Sequence, residues 1–133
     1  MREGDILFNR TNSPDLVGKT AVFRHSEPMA YAGYLVRLRV NQEATSEFIS
    51  AFLNSRYGKA TLRGMCKSII GMANINATEV QTIRIPKPPV ELQRTFARLV
   101  IEMESHTRRQ LSSEASMDAQ FASLQHRAFR GEL

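Results

Sequence analysis

Lys59, Arg63 and Lys67 recur at a fixed short spacing, and Asn74 and Asn76 follow soon after. On a helix this spacing sets the three cations on one face. Lys and Arg reach phosphate oxygens or guanine, and an Asn carboxamide pairs bidentately with adenine. The two asparagines could equally cap the turn that follows them. Upstream, the stretch Arg10-Thr11-Asn12-Ser13 gathers another cation and another carboxamide. Arg10, Asn12, Lys59, Arg63, Lys67, Ser68 and Asn74 are therefore the candidate contacts to a nucleic acid.

Charge is distributed in keeping with that chemistry. Of the net +5, residues 1–89 carry all of it, with twelve Lys or Arg against seven Asp or Glu, while residues 90–133 carry six against six. A basic first part and a charge-balanced second part suggest a polyanion for one and a protein for the other. An ordinary basic surface is the blander reading, since the excess is modest.

Catalytic constellations do not stand out. His25, His106 and His126 have no metal-ligand spacing to one another or to Cys66. Gly18-Lys19-Thr20 resembles the end of a phosphate-binding loop, but Ser13 stands where that loop needs Gly and a strand follows where it needs a helix. No nucleophile elbow, dinucleotide fingerprint or nuclease-like acidic cluster appears. The expectation is a protein that binds without catalysing, with no cofactor and no metal. No apolar run is long enough for a bilayer, and the start is no signal peptide. Single Cys66 fits a buried small residue in a reducing compartment, the cytoplasm.

The elements that must position these residues come next. Residues 5–10 read as a strand, 11–15 as a polar turn and 20–24 as the returning strand. Residues 34–40 alternate, with Val36, Leu38 and Val40 inward and Arg37 and Arg39 on a solvated face. Thr45 or Ser46 caps a helix with Phe48, Ile49, Phe52 and Leu53 on its apolar side, ending near Gly58. A second short helix or turn covers 59–68, a loop 71–76, and a last strand 81–86 with Ile83 and Ile85 inward.

After Pro88-Pro89 about 40 residues pass without Pro or Gly until Gly131, the punctuation of one long helix. Phe96, Met103, Gln110, Met117 and Leu124 recur every heptad. Leu92, Leu99, His106 and Ser113 fill the alternate positions, and Phe121 with Ala128 takes over the stripe near the end. A helix of this length, about 60 Å at 1.5 Å per residue, exceeds what one small domain covers. It is expected to pair through Leu92, Phe96, Leu99, Met103, His106, Gln110, Met117, Phe121 and Leu124. A stripe apolar at both ends and polar at its centre places the twofold axis of an antiparallel pair near residue 110.

The order of motifs resembles a known family. Gly4-Asp5-Ile6-Leu7-Phe8-Asn9-Arg10 and Val17-Gly18-Lys19-Thr20-Ala21 resemble the middle of a target recognition domain. That domain is the DNA-reading module of specificity subunits in type I restriction-modification systems. Tyr31-Ala32-Gly33-Tyr34-Leu35, and Asn74-Ile75-Asn76 followed by Ile83-Arg84-Ile85-Pro86, look like its later landmarks. Pro88-Pro89-Val90-Glu91-Leu92-Gln93 resembles the start of the family's long helix, and residues 128–133 its close.

The resemblance implies an α+β protein, with a partial target recognition domain over 1–87 and a coiled-coil spacer for dimerisation and methyltransferase docking over 88–133. It implies recognition of one half of a split site on double-stranded DNA, and partnership with methyltransferase and restriction subunits. The helix would pair antiparallel, as a homodimer or with a second half-subunit. Little precedes the Gly-Asp-Ile-Leu strand, so the chain looks like a fragment or a truncated half-subunit. The competing expectation is a scaffold that assembles methyltransferase subunits without reading DNA.

Overall fold

A computed structural model describes residues 1–13, 16–69 and 72–132. Pro14 and Asp15 of the expected polar turn, Gly71 of the expected loop and Leu133 of the closing segment lie outside the described residues. The fold is α+β: among the described residues it has two small three-stranded sheets and three short helices, followed by one long helix. The chain divides into two compact units, Met1–Ala97 and Arg98–Leu133, the first of which includes the opening turns of the long helix.

Strand β1 (Ile6–Asn9) is the centre of the first sheet. Its alternation sends Ile6 and Phe8 fully into the core, as the pleat of a strand requires. It pairs antiparallel with β3 (Thr20–Val22), Leu7 facing Ala21, and with β4 (Leu35–Leu38), Leu7 facing Arg37. Gly18, at φ +73, closes the loop into β3, and a Cβ there would meet Leu62 Cδ1 at 2.5 Å. This close approach locks the loop against the second helix.

Residues 11–12 are not turn. They form β2 (Thr11–Asn12), which pairs antiparallel with β6 (Met72–Asn74). The expected loop at 71–76 becomes half of a hairpin, β6 pairing with β5 (Lys67–Ile69). The second sheet thus has the order β2-β6-β5.

Helix α1 (Ser46–Asn54) starts where expected, with Thr45 Oγ1 accepting from the Phe48 N–H at 3.4 Å. It ends earlier than expected, because Ser55 restarts the chain. Ser55 Oγ accepts from the Gly58 N–H at 3.1 Å and caps α2 (Arg56–Met65). Gly58 is therefore inside the second helix and not at the end of the first. Any Cβ there would collide with the Phe52 and Leu53 backbone, so the glycine allows the two helices to meet. Helix α2 stops at Met65, which puts Lys67 in β5 and off the helical face it was expected to share with Lys59 and Arg63.

The expected strand at 81–86 is absent. Gln81 closes α3 (Ala77–Gln81), which Asn76 and Glu79 start with a reciprocal capping box. Residues 83–89 have no regular structure, and Pro86, Pro88 and Pro89 explain why: none can donate to a ladder. Ile83 and Ile85 still turn inward to half-buried positions, and Ile83 packs against the core. That core gathers Phe8, Val17, Leu53, Leu62, Ala73, Ile75 and Val80 from both sheets and from α1, α2 and α3.

Helix α4 (Val90–Phe129) is 40 residues long, as its punctuation predicts. Gly131, at φ +70, ends it, its N–H donating to Ala128 O at 3.1 Å. The first turns are held by Gln93, which is 1% exposed. Its Oε1 accepts from the Thr45 N–H at 3.1 Å, and its Nε2 donates to Glu43 O at 3.1 Å and Pro88 O at 2.9 Å. Phe96 meets Phe48 edge to face at 6.3 Å. The residues of the heptad stripe remain exposed, from 38% at Phe96 to 70% at Met103. An unpaired apolar stripe of this length fits a coiled coil.

Candidate nucleic-acid interface

Five of the candidate DNA contacts come together on or beside the second sheet. Arg10 precedes β2, Asn12 lies in it, Lys67 and Ser68 lie in β5, and Asn74 lies in β6. The register sets Thr11, Asn74 and Lys67 in one cross-strand row and Asn12, Ala73 and Ser68 in the next. Ala73 is buried, whereas Asn74 is exposed. The Thr11 hydroxyl donates to Asn74 Oδ1 at 3.2 Å, which steadies the carboxamide and leaves its Nδ2 without a partner among the described residues. Thr11 was not singled out by its sequence, and only the pairing of β2 with β6 reveals it.

Asn12 is more committed, since its Oδ1 accepts from the Ser13 N–H at 2.8 Å. Asn76 is fully engaged as a helix cap: its Oδ1 accepts from Glu79 N–H at 2.9 Å, and its own N–H donates to Glu79 Oε2 at 2.8 Å. Of the two readings open for the asparagines, capping therefore describes Asn76. The Arg10 backbone is held on both sides, its N–H donating to Tyr34 O at 3.0 Å and its carbonyl accepting from Ile75 N–H at 2.9 Å. Its Nε is buried without a partner among the described residues.

Lys59 and Arg63 occupy successive turns of α2. Arg63 is exposed, while the Lys59 ammonium is buried and has no hydrogen-bond partner among the described residues. Burial first, and then the neighbouring charges of Lys19 and Arg63, hold its pKa below the ordinary lysine value. Lys19 is thus an electrostatic neighbour of Lys59. Its sequence signal was present in Gly18-Lys19-Thr20, but in the form of a phosphate loop that the following strand contradicts.

Arg37 and Arg39 are used differently. Arg39 Nε donates to Asp5 Oδ1 at 2.7 Å, and Arg37 Nε approaches Oδ2 at 3.9 Å. Asp5 is buried, and the hydrogen bond from Arg39 leads the effects that hold its pKa below the usual carboxylate range. These arginines partly neutralise a buried carboxylate at the start of β1. Among the described residues, no three His, Cys, Asp or Glu side chains gather as a metal site would require, and no helix is long and apolar enough to cross a membrane.

No protein-family model matches the chain. It is similar to a protein described as the type I restriction enzyme MjaX specificity subunit of Methanocaldococcus jannaschii, with 26% identity over 104 residues, 77% of this chain. It is also similar to the type I restriction enzyme EcoKI specificity subunit of Escherichia coli K12, with 26% identity over 140 aligned residues, all of this chain. The chain spans 24% and 30% of the length of these two relatives. The resemblance carried by the motif order thus leads to specificity subunits of type I restriction enzymes.

Proposed function

We propose that this chain supplies DNA sequence recognition to a type I restriction-modification complex. The observation that carries this reading is the similarity to two specificity subunits, one of them along the whole chain. In this reading residues 1–87 recognise one half of a split site on double-stranded DNA. Asn74 and Asn12 supply carboxamides, and Arg10, Lys59, Arg63, Lys67 and Ser68 supply contacts to phosphates or base edges. Residues 88–133 form the spacer and the surface for methyltransferase docking. The chain would direct adenine methyltransferase and restriction subunits to the site, with no catalytic step and no cofactor of its own.

The exposed stripe of α4 favours antiparallel pairing, either with a second copy or with another half-subunit. The same stripe favours one competing reading, a scaffold that assembles methyltransferase subunits without reading DNA. A mobility-shift assay with and without methyltransferase subunits separates them. Retention of one duplex sequence over others is the expected result. Equal retention of every duplex, or of none, would leave the scaffold as the function.

A further inference from the structure

Strand β6 carries an exposed carboxamide on a firmly held backbone. Ala73 and Ile75, on either side of Asn74, are 1% and 0% exposed and anchor the strand to the core. Asn76, which follows, is committed to the cap of α3. Across the sheet the Ile75 N–H donates to Arg10 O at 2.9 Å. The Arg10 N–H in turn donates to Tyr34 O at 3.0 Å, which ties β2 to the first sheet. What Asn74 offers to a ligand is therefore decided by its side-chain torsions.

Thr11 sets those torsions. It faces Asn74 across the ladder, one step from the hydrogen bond between Ile75 and Arg10. Such an intervening pair, without backbone bonds of its own, is where opposed side chains stand closest in an antiparallel ladder. Asn74 is exposed and Thr11 half-buried, on the face turned away from buried Ala73 and Ile75. The Thr11 hydroxyl donates to Asn74 Oδ1 at 3.2 Å. A carboxamide oxygen has two lone pairs, so Oδ1 keeps one for a further donor, beside the free donors of Nδ2. An acceptor and a donor held side by side match the major-groove edge of adenine, whose N6 amino group donates and whose N7 accepts. Guanine offers two acceptors there, and its O6 would oppose Oδ1. Neither pyrimidine offers an adjacent donor and acceptor.

We propose that Asn74 reads one adenine in the major groove, and that Thr11 is the positioning residue that holds its carboxamide for that base. The inference rests on the DNA-recognition reading and adds to it the base and the orienting group.

Selection from a pool of randomised duplexes, by the chain together with methyltransferase subunits, measures base preference at every position. The unaltered chain should enrich a sequence with an adenine position that Asn74→Ala relaxes while the other positions hold. Preference there should be about tenfold or more, the size of a bidentate base contact. Thr11→Val keeps the shape of the side chain and removes its hydroxyl. It should relax the same position several-fold and leave the slope of log K against log salt unchanged, since no phosphate contact is lost. Thr11→Ser, which keeps the donor, should restore the preference. Placing 7-deazaadenine at the selected position removes the N7 acceptor without altering the protein. It should weaken binding by the unaltered chain and make no difference to Asn74→Ala. If Thr11→Val weakens every duplex alike, Thr11 is a structural residue and its assigned role is wrong. An enriched sequence that survives Asn74→Ala at every position would overturn the assignment and leave the DNA-recognition reading standing. Enrichment of no sequence by the unaltered chain would overturn both.

Discussion

Gln93 and Asp5 are buried polar side chains whose roles emerge only from their partners. A glutamine is usually exposed, and Gln93 is nearly inaccessible because all three of its hydrogen bonds go to backbone groups that would otherwise be orphaned. Gln93→Leu would leave the Thr45 N–H and the Glu43 and Pro88 carbonyls unsatisfied. A loss of roughly 3 kcal/mol is expected, read as a lower urea midpoint. Asp5 sets the pH response. Its folded pKa is depressed, so its ion pair contributes fully above the unfolded value and is lost as pH falls through the folded one. The thermal midpoint should therefore drop below about pH 4, and Asp5→Asn should flatten that drop. Lys59 has the reverse sign. Its pKa is also depressed, but for a base the folded state sheds the proton first. The penalty is therefore full below the folded pKa and fades as pH climbs from there towards the ordinary lysine value of about 10.4. The gain from Lys59→Met should shrink over the same range in thermal melts taken at successive pH values.

At the scale of elements, legibility followed the strength of local punctuation. Helix α4 was readable end to end, because Pro88-Pro89 and Gly131 mark both limits and nothing between them breaks a helix. The strand around Leu35 is readable from alternation, and those around Ile6 and Thr20 from the polar turn residues between them. Thr11-Asn12 is not, because a two-residue strand has too little pattern and its partner lies 63 residues away along the chain, Asn74 facing Thr11. The division into α1 and α2 was hidden for a similar reason. Gly58 looks like a terminator, yet it serves as a contact point between helices, while the true boundary is Ser55, acting as a cap in both directions. Gly58→Ala tests this directly. Helix propensity alone would make alanine stabilising by about 1 kcal/mol, whereas collision with the Phe52 and Leu53 backbone should cost roughly 2 kcal/mol or more. A lower denaturation midpoint is expected, and a higher one would mean that the helices do not meet as described. Among the candidate contacts, the sequence grouped Lys59, Arg63 and Lys67 by helical spacing. The fold instead sends Lys67 to the hairpin and brings the charge of Lys19 near Lys59. Spacing along one chain segment cannot report a neighbour contributed by another.

At the scale of the whole molecule, the charge split and the exposed stripe point to different partners for the two parts. The stripe offers Leu92, Phe96, Leu99 and Met103 at one end and Met117, Phe121 and Leu124 at the other, all exposed. An antiparallel pair with its axis near Gln110 would set Phe96 against Leu124, Leu99 against Phe121 and Met103 against Met117. The polar residues His106, Gln110 and Ser113 would fall at the axis, where their desolvation disfavours shifted registers. In that arrangement the two Gln110 side chains are adjacent, while the two Phe96 positions are separated by about 28 residues of rise, roughly 42 Å. Disulfides need Cα atoms within about 7 Å. In a Cys66→Ala background, Gln110→Cys should therefore give a covalent dimer on oxidation and Phe96→Cys should not. A parallel pair would cross-link at both positions, and a monomer at neither. Leu99→Glu should dissociate the pair at tens of micromolar, read by light scattering. Phe121→Glu should do the same, because each residue is the other's partner across the axis.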